Sequence, residues 1–148
     1  MKAIPAEIWR AYQATAYCAT VDGENIRIRP GETDATLERA LEARGATAWA
    51  YVTAWNPGSQ LLSRSENDVR QRGLKDELER RGFEFAEGRG EPSDTTWQPE
   101  ESVLIFGIDE ANAVALGMKH GQWAIVVGKR DGGPARLVLC CGEGATSV

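Results

Sequence analysis

The stretch TAWAYVTAWNPGSQLLSRSEN, residues 47–67, predicts a buried strand, a tight polar turn and the capped start of a long helix. Over residues 47–55, alanine and valine alternate with aromatic side chains and threonine at the two-residue period of a β-strand. Neither face carries a charge. Because a strand that is apolar on both faces is usually covered on both, we expect it in the interior of a sheet, with a helix close to the alanines.

The turn that follows is predicted from Asn-Pro-Gly at residues 56–58. Asparagine can bond its own backbone, proline fixes its φ angle, and glycine accepts a positive φ. Ser63 fits a helix N-cap, and Glu66 completes a capping box. The first turn of such a helix exposes unpaired N–H groups, so the loop and the helix start could together hold a carboxylate or phosphate. The same residues also fit an ordinary connection without a ligand, and they lack the glycine patterns of nucleotide-binding loops.

Length, charge and cysteine usage bound the class of protein. At 148 residues we expect one domain over residues 1–148, with residues 142–148 as a flexible tail. The net charge of −5 argues against nucleic acid or an anionic membrane as a general partner. No apolar run approaches the length of a membrane span, and the N-terminus lacks a secretory signal. Three cysteines without metal-ligand spacing favour a reducing cytoplasm.

The predicted elements follow in the order helix, hairpin, helix, strand, helix, strand, strand, helix and hairpin. This order favours an α+β fold, with a mixed β-sheet of about six to seven strands and about three to four packed helices. A three-layer α/β sandwich is the alternative. A short strand is predicted over residues 83–87, followed by an irregular segment over residues 88–99. The helix that begins after Ser63 is expected to bury Val69, Leu74 and Leu78.

Four sequence features together resemble a known family. They are TAWNPGS at residues 53–59, Asn67 in the following helix, WQPEES at residues 97–102 and GQWAIV at residues 121–126. Over about residues 17–127, the chain resembles the bacterial family catalogued as domain of unknown function 3293. The resemblance implies a small, single-domain bacterial protein. It implies no activity, cofactor or catalytic residue.

Metal and nucleophilic chemistry have few candidate residues. His120 is the only histidine, and it lies at a predicted helix end, where a histidine commonly interacts with the helix dipole. We therefore predict no metal site and no cofactor. Glu100 and Glu101 are neighbours in an extended segment, so at most one of them faces a given pocket. That one is a candidate general base for a hydrolase or transferase.

We predict that the chain binds a small polar or anionic metabolite at the loop after the central strand, with two tryptophans as walls. The predicted ligand-binding residues are Trp55, Asn56, Ser59, Ser63, Arg64, Asn67, Trp97, Glu100 and Gln122. Two other classes of function stay open. One is an enzyme that uses Glu100 or Glu101. The other is an interaction domain without catalysis, such as a homodimer that pairs through an edge strand or through Trp9 and Trp97.

Overall fold

The computed structural model describes residues 4–93 and 98–140. The helices are α1 (Ala6–Ala14), α2 (Ala35–Arg44), α3 (Arg64–Arg80) and α4 (Glu110–Lys119), with a 3-10 turn at Pro57–Ser59. The strands are β1 (Ala16–Val21), β2 (Glu24–Ile28), β3 (Ala48–Val52), β4 (Glu84–Glu91), β5 (Glu100–Phe106), β6 (Ala124–Lys129) and β7 (Arg136–Leu139). The predicted tail at residues 142–148 lies outside the described residues. None of the helices in the described part of the chain has the length and hydropathy that a membrane span needs.

The strands form one sheet in the order β2-β1-β4-β5-β3-β6-β7. The prediction of an α+β fold is confirmed, with seven strands and four helices among the described residues. The sheet is antiparallel at every neighbouring pair, not mixed as predicted. The reason is that the crossovers through α3 and α4 each skip one strand position, and the crossover through α2 skips three. β5 lies between β3 and β4, which α3 connects, and β3 lies between β5 and β6, which α4 connects.

Helices cover both faces of the sheet. On the face that bears Tyr17 and Tyr51, which we call the tyrosine face, α2 packs through Leu37 and Leu41. On the opposite face, which bears Ala50 and which we call the alanine face, α3 and α4 form a second core. β3 lies between β5 and β6 and contributes to both cores. The predicted interior position of this strand is therefore confirmed.

α1 lies over the tyrosine face, but none of its residues is buried. The Tyr12 hydroxyl is 2.6 Å from the Ser59 hydroxyl in the loop after β3. The Tyr17 hydroxyl donates a 2.6 Å hydrogen bond to the backbone carbonyl of Tyr12. These hydrogen bonds, together with half-buried side chains such as Ile8 and Trp9, attach α1 to the rest of the fold.

β4 continues to Glu91, into a segment that the sequence predicted to be irregular. Gly88 makes this pairing with β1 feasible, because a Cβ there would collide with the Cys18 carbonyl oxygen and lie 2.8 Å from Oη of Tyr51. The Tyr51 hydroxyl lies beside Gly88 and donates a 2.7 Å hydrogen bond to the Cys18 carbonyl. A glycine that reads as a loop signal in the sequence thus serves a close approach within the sheet.

The buried side of α3 differs from the prediction. Leu74 and Leu78 are buried as expected, but Val69 is 70% exposed. Asn67 and Gln71 are buried instead. The side-chain oxygen of Asn67 accepts a hydrogen bond from the backbone N–H of Asn56, and that of Gln71 accepts one from the backbone N–H of Ala54. Both donors lie after β3. These hydrogen bonds to the loop backbone fix the rotation of α3 about its axis, so that Val69 faces solvent.

Candidate functional site

A hollow of about 120 Å³ lies between α1, the loop after β3 and the tyrosine face of the sheet. Its polar lining consists of Tyr12, Thr15, Tyr17, Tyr51, Thr53, Asn56, Ser59, Gln98, Glu100, Ser102 and Gln122. Its apolar lining consists of Ala11, Leu61, Gly90, Pro92, Ala124, Ile125, Val126 and Leu137. The hollow therefore combines apolar walls with several converging polar groups, which is the usual composition of a small-molecule site.

Asn56 is held in position by Asn67. The backbone N–H of Asn56 donates to Oδ1 of Asn67 at 2.8 Å, and Nδ2 of Asn67 donates to Oδ1 of Asn56 at 2.9 Å. The backbone N–H of Leu62 also donates to Oδ1 of Asn56, at 3.0 Å. Because a backbone N–H can only donate, these contacts fix both amide orientations. The remaining Nδ2 of Asn56 points to Oε2 of Glu100, at 2.9 Å.

Glu100 brings a half-buried carboxylate to the hollow at the first residue of β5. Burial raises the pKa of Glu100, and the hydrogen bond from Asn56 offsets only part of that effect. No lysine or arginine of residues 4–93 and 98–140 forms an ion pair with it. Glu101 lies on the opposite face and pairs with Arg64 at 3.0 Å. The prediction that only one of the two carboxylates faces a given pocket is confirmed.

Three tyrosines line the hollow, from α1, β1 and β3. The rings of Tyr17 and Tyr51 meet edge to face, with centroids 5.4 Å apart. Burial raises the pKa of both phenols, so both are neutral at physiological pH. Tyr12 adds its ring from the α1 side and its hydroxyl contact with Ser59. The tyrosines thus supply aromatic surface without adding charge.

Gln122 enters the hollow from the segment before β6. Its Nε2 donates to the backbone carbonyls of Trp55 at 3.0 Å and His120 at 3.3 Å. Its Oε1 accepts no hydrogen bond from the described part of the chain. The amide is therefore oriented by two backbone acceptors.

Four of the nine predicted ligand-binding residues line the hollow: Asn56, Ser59, Glu100 and Gln122. Trp97 lies outside the described residues. Asn67 is 2% exposed and does not line the hollow, but its side chain donates a hydrogen bond to Asn56. Whether these residues bind a ligand stays a prediction.

Trp55, Ser63 and Arg64 do not line the hollow. Trp55 is buried, and its indole N–H has no hydrogen-bond partner among residues 4–93 and 98–140. Ser63 completes the predicted capping box with Glu66, so the backbone N–H groups of these two residues are bonded within the helix start. Arg64 is exposed and pairs with Glu101 on the alanine face. The predicted anion site at the start of α3 is therefore not part of this hollow.

Seven polar lining residues were not predicted to bind a ligand, namely Tyr12, Thr15, Tyr17, Tyr51, Thr53, Gln98 and Ser102. The period-two pattern of β3 places Tyr51 and Thr53 on one face, but the sequence does not show that this face lines a hollow rather than a packed layer. The same period relates Glu100 to Ser102 on β5. The position of α1 depends on tertiary contacts with Ser59 and Tyr17, for which the sequence contains no local signal.

Possible metal ligands do not cluster among the described residues. Among the described residues, no three His, Cys, Asp or Glu side chains lie close enough to hold a metal ion. His120 does not line the hollow, and its Nε2 is 3.1 Å from Oε1 of Glu77. Lys119 Nζ lies 3.1 Å from the same carboxylate oxygen. The histidine thus belongs to a charged cluster between the C-terminal ends of α3 and α4.

A family model described as protein of unknown function (DUF3293) matches residues 52–125, which is half of the chain. The chain belongs to the DUF3293 family. The matched segment of this DUF3293 protein runs from the end of β3 into β6 and includes Asn56, Ser59, Glu100 and Gln122. The lining residues from α1, β1 and β7 lie outside it. No curated protein and no solved structure matches the chain.

Proposed function

We propose that this DUF3293 protein is a binding domain for a small polar molecule, which occupies the hollow under α1. The observation that carries the proposal is the position of Glu100, a carboxylate oriented by Asn56 at the wall of a partly apolar hollow. Polar groups from separate elements converge there, and Asn67 holds the loop that presents them. Convergent, pre-oriented polar groups within apolar walls are what a small-molecule site requires.

The size of the hollow limits the ligand. Its volume is about 120 Å³. An engineered apolar cavity of roughly 150 Å³ accepts benzene, whereas sites for drug-sized ligands have volumes of about 300–1,000 Å³. The volume therefore favours a molecule with one small ring or a short chain over a whole nucleotide or sugar phosphate.

An enzyme that uses Glu100 as a general base is the second candidate. The half-buried carboxylate with a raised pKa favours it, because catalytic bases commonly have this environment. Glu101 does not line the hollow, since it pairs with Arg64 on the other face. We favour binding alone, because the described lining contains no histidine or cysteine to complete a nucleophile and base pair.

The test is a ligand screen by protein-observed NMR with two matched variants. Ala124 lines the hollow, and Ala124→Leu places extra carbon atoms in it. Ala111 is exposed on α4, so Ala111→Leu makes the same change away from the hollow. Small polar molecules that shift signals of lining residues should bind the natural chain and Ala111→Leu equally, and Ala124→Leu at least about tenfold more weakly.

Two results would contradict the proposal. One is a screen of small amines, alcohols, amides and acids in which no compound perturbs the lining residues. The other is binding that Ala124→Leu leaves unchanged. Turnover of any bound compound, lost in Glu100→Gln, would favour the enzyme instead.

A further inference from the structure

The charge of the hollow has one sign. Glu100 is the charged side chain of its described lining, and no lysine or arginine of that lining balances it. Arg64, at the start of α3, pairs with Glu101 on the alanine face and does not line the hollow. An anionic ligand would therefore meet a carboxylate without an opposing cation, which disfavours it.

The hydrogen bonds of Glu100 leave it open to a donor. A carboxylate can accept roughly four hydrogen bonds. The described residues supply one to Glu100, from Nδ2 of Asn56 to Oε2, and none to Oε1. A half-buried carboxylate with so few donors gains most from a ligand that donates hydrogen bonds and carries a positive charge.

The remaining lining fits an organic cation better than a metal ion. Ca²⁺ takes about six to eight oxygen ligands, and structural Zn²⁺ takes about four protein ligands. The described residues hold no such group. Tyr12, Tyr17 and Tyr51 instead supply aromatic rings, whose faces attract an ammonium group. Gln122 Oε1 adds a second acceptor for its N–H groups.

We infer that the ligand is a small organic ammonium ion with a short-chain or single-ring apolar group, and that Glu100 is its counter-ion. This inference rests on the proposed binding function. The ammonium group lies against Glu100, the amide oxygen of Gln122 and the tyrosine rings, and the apolar group lies against Ala124 and Leu137. Asn56 is a positioning residue, because its amide holds the carboxylate at the wall of the hollow.

The experiment compares probes of the same shape and different charge by NMR titration at neutral pH. Butylamine, butanol and butyrate form one series, and cyclopentylamine, cyclopentanol and cyclopentanecarboxylate form the other. Each amine should bind about tenfold or more tightly than its alcohol, because a charged hydrogen bond replaces a neutral one. The carboxylates should bind most weakly.

Two variants test the counter-ion. Glu100→Gln should remove the preference for amine over alcohol, while the alcohols keep their affinity to within about twofold. Glu101→Gln is the matched control, since it changes the neighbouring carboxylate on the opposite face and should leave the preference intact. The NMR spectrum of each variant reports its folding directly.

The outcomes separate this inference from the proposed function. Alcohols or carboxylates that bind as tightly as the amines, with Ala124→Leu weakening all of them, overturn the counter-ion and keep the site. An amine preference that survives Glu100→Gln also overturns it. If no amine, alcohol or carboxylate perturbs the lining residues, the inference and the proposed function both fail.

Discussion

Nδ2 of Asn56 lies 2.9 Å from Oε2 of Glu100, although the two residues are 44 positions apart in the chain. The contact joins the loop after β3 to the first residue of β5, its neighbour in the sheet. Hydrogen bonds with Asn67 fix the orientation of the Asn56 amide, so that its Nδ2 donor rather than its Oδ1 acceptor faces the carboxylate. A central strand, a turn and a helix thereby determine where one charged group lies.

Asn67 is expected to stabilise the site loop from the start of α3. Asn67→Ala would leave the partly buried backbone N–H of Asn56 and its Oδ1 without these partners. We expect the free energy of unfolding in urea to fall by about 1–3 kcal/mol. Arg72→Ala is the control on an exposed position of the same helix, with an expected change within about 0.5 kcal/mol. Equal effects of the two substitutions would show that the Asn67 contacts do not stabilise the fold.

Glu100 is expected to reduce stability at neutral pH. Its folded pKa is raised, so its favourable contribution is fully present below the unfolded pKa and is lost as pH rises through the folded pKa. Glu100→Gln cannot ionise, and its Oε1 can still accept from Asn56. The variant should therefore unfold at a higher urea concentration than the natural chain at neutral pH, with the difference disappearing near about pH 4. An unchanged or lower midpoint at neutral pH would contradict the raised pKa.

Glu77 has the opposite pH dependence. Burial opposes its ionisation, but hydrogen bonds and charges from Lys119 and His120 outweigh burial and lower the pKa of Glu77. Its contribution is thus present above the unfolded pKa and is lost as pH falls through the folded pKa. Glu77→Gln should lower the free energy of unfolding by about 1–2 kcal/mol at neutral pH, and by less in acid, where Glu77 is protonated. The effect stays modest because Lys119 is largely hydrated.

The control for Glu77 is Glu79→Gln, an exposed position on the same helix. Its free energy of unfolding should change by less than about 0.5 kcal/mol at either pH. A Glu77→Gln variant that behaves like this control would show that the cluster between α3 and α4 contributes no net stability.

Gly88 and Gly73 offer the same substitution with opposite expected signs. Gly88→Ala would push a methyl group into the Cys18 backbone carbonyl and the Tyr51 hydroxyl, and should destabilise the fold by about 1–3 kcal/mol. Gly73 lies within α3 with nothing near its Cβ position, so Gly73→Ala should stabilise by about 0.5–1 kcal/mol. Thermal unfolding of the two variants measures both. A Gly88→Ala variant at least as stable as the natural chain would contradict the close approach of β4 to β1.

Features set by neighbouring residues were predictable from the sequence. The alternation along β3 placed the strand in the interior, and the spacing of Ser63 and Glu66 gave the capping box. The adjacency of Glu100 and Glu101 predicted their opposite directions. Each of these depends on backbone geometry over a few residues, which is the information that a single sequence contains.

Features set by distant contacts were not predictable. The crossovers skip a strand, which makes the sheet antiparallel, and no residue pattern in α3 or α4 encodes that choice. Val69 is exposed because buried Asn67 and Gln71 bond to the loop backbone, a preference that apolar periodicity misses. The lining of the hollow was predicted only in part for the same reason. The loop and β5 contribute Asn56 and Glu100 through local backbone geometry, whereas the position of α1 depends on long-range hydrogen bonds.

The way α1 is fastened has a kinetic consequence. Because none of its side chains is fully buried and it belongs to no strand, displacing the helix exposes only half-buried side chains and breaks no hydrogen bond between strands. The hydroxyl contact between Tyr12 and Ser59 attaches α1 to the loop after β3. The residence time of a bound molecule would then follow the lifetime of that hydroxyl pair, on a scale independent of how slowly the whole chain unfolds.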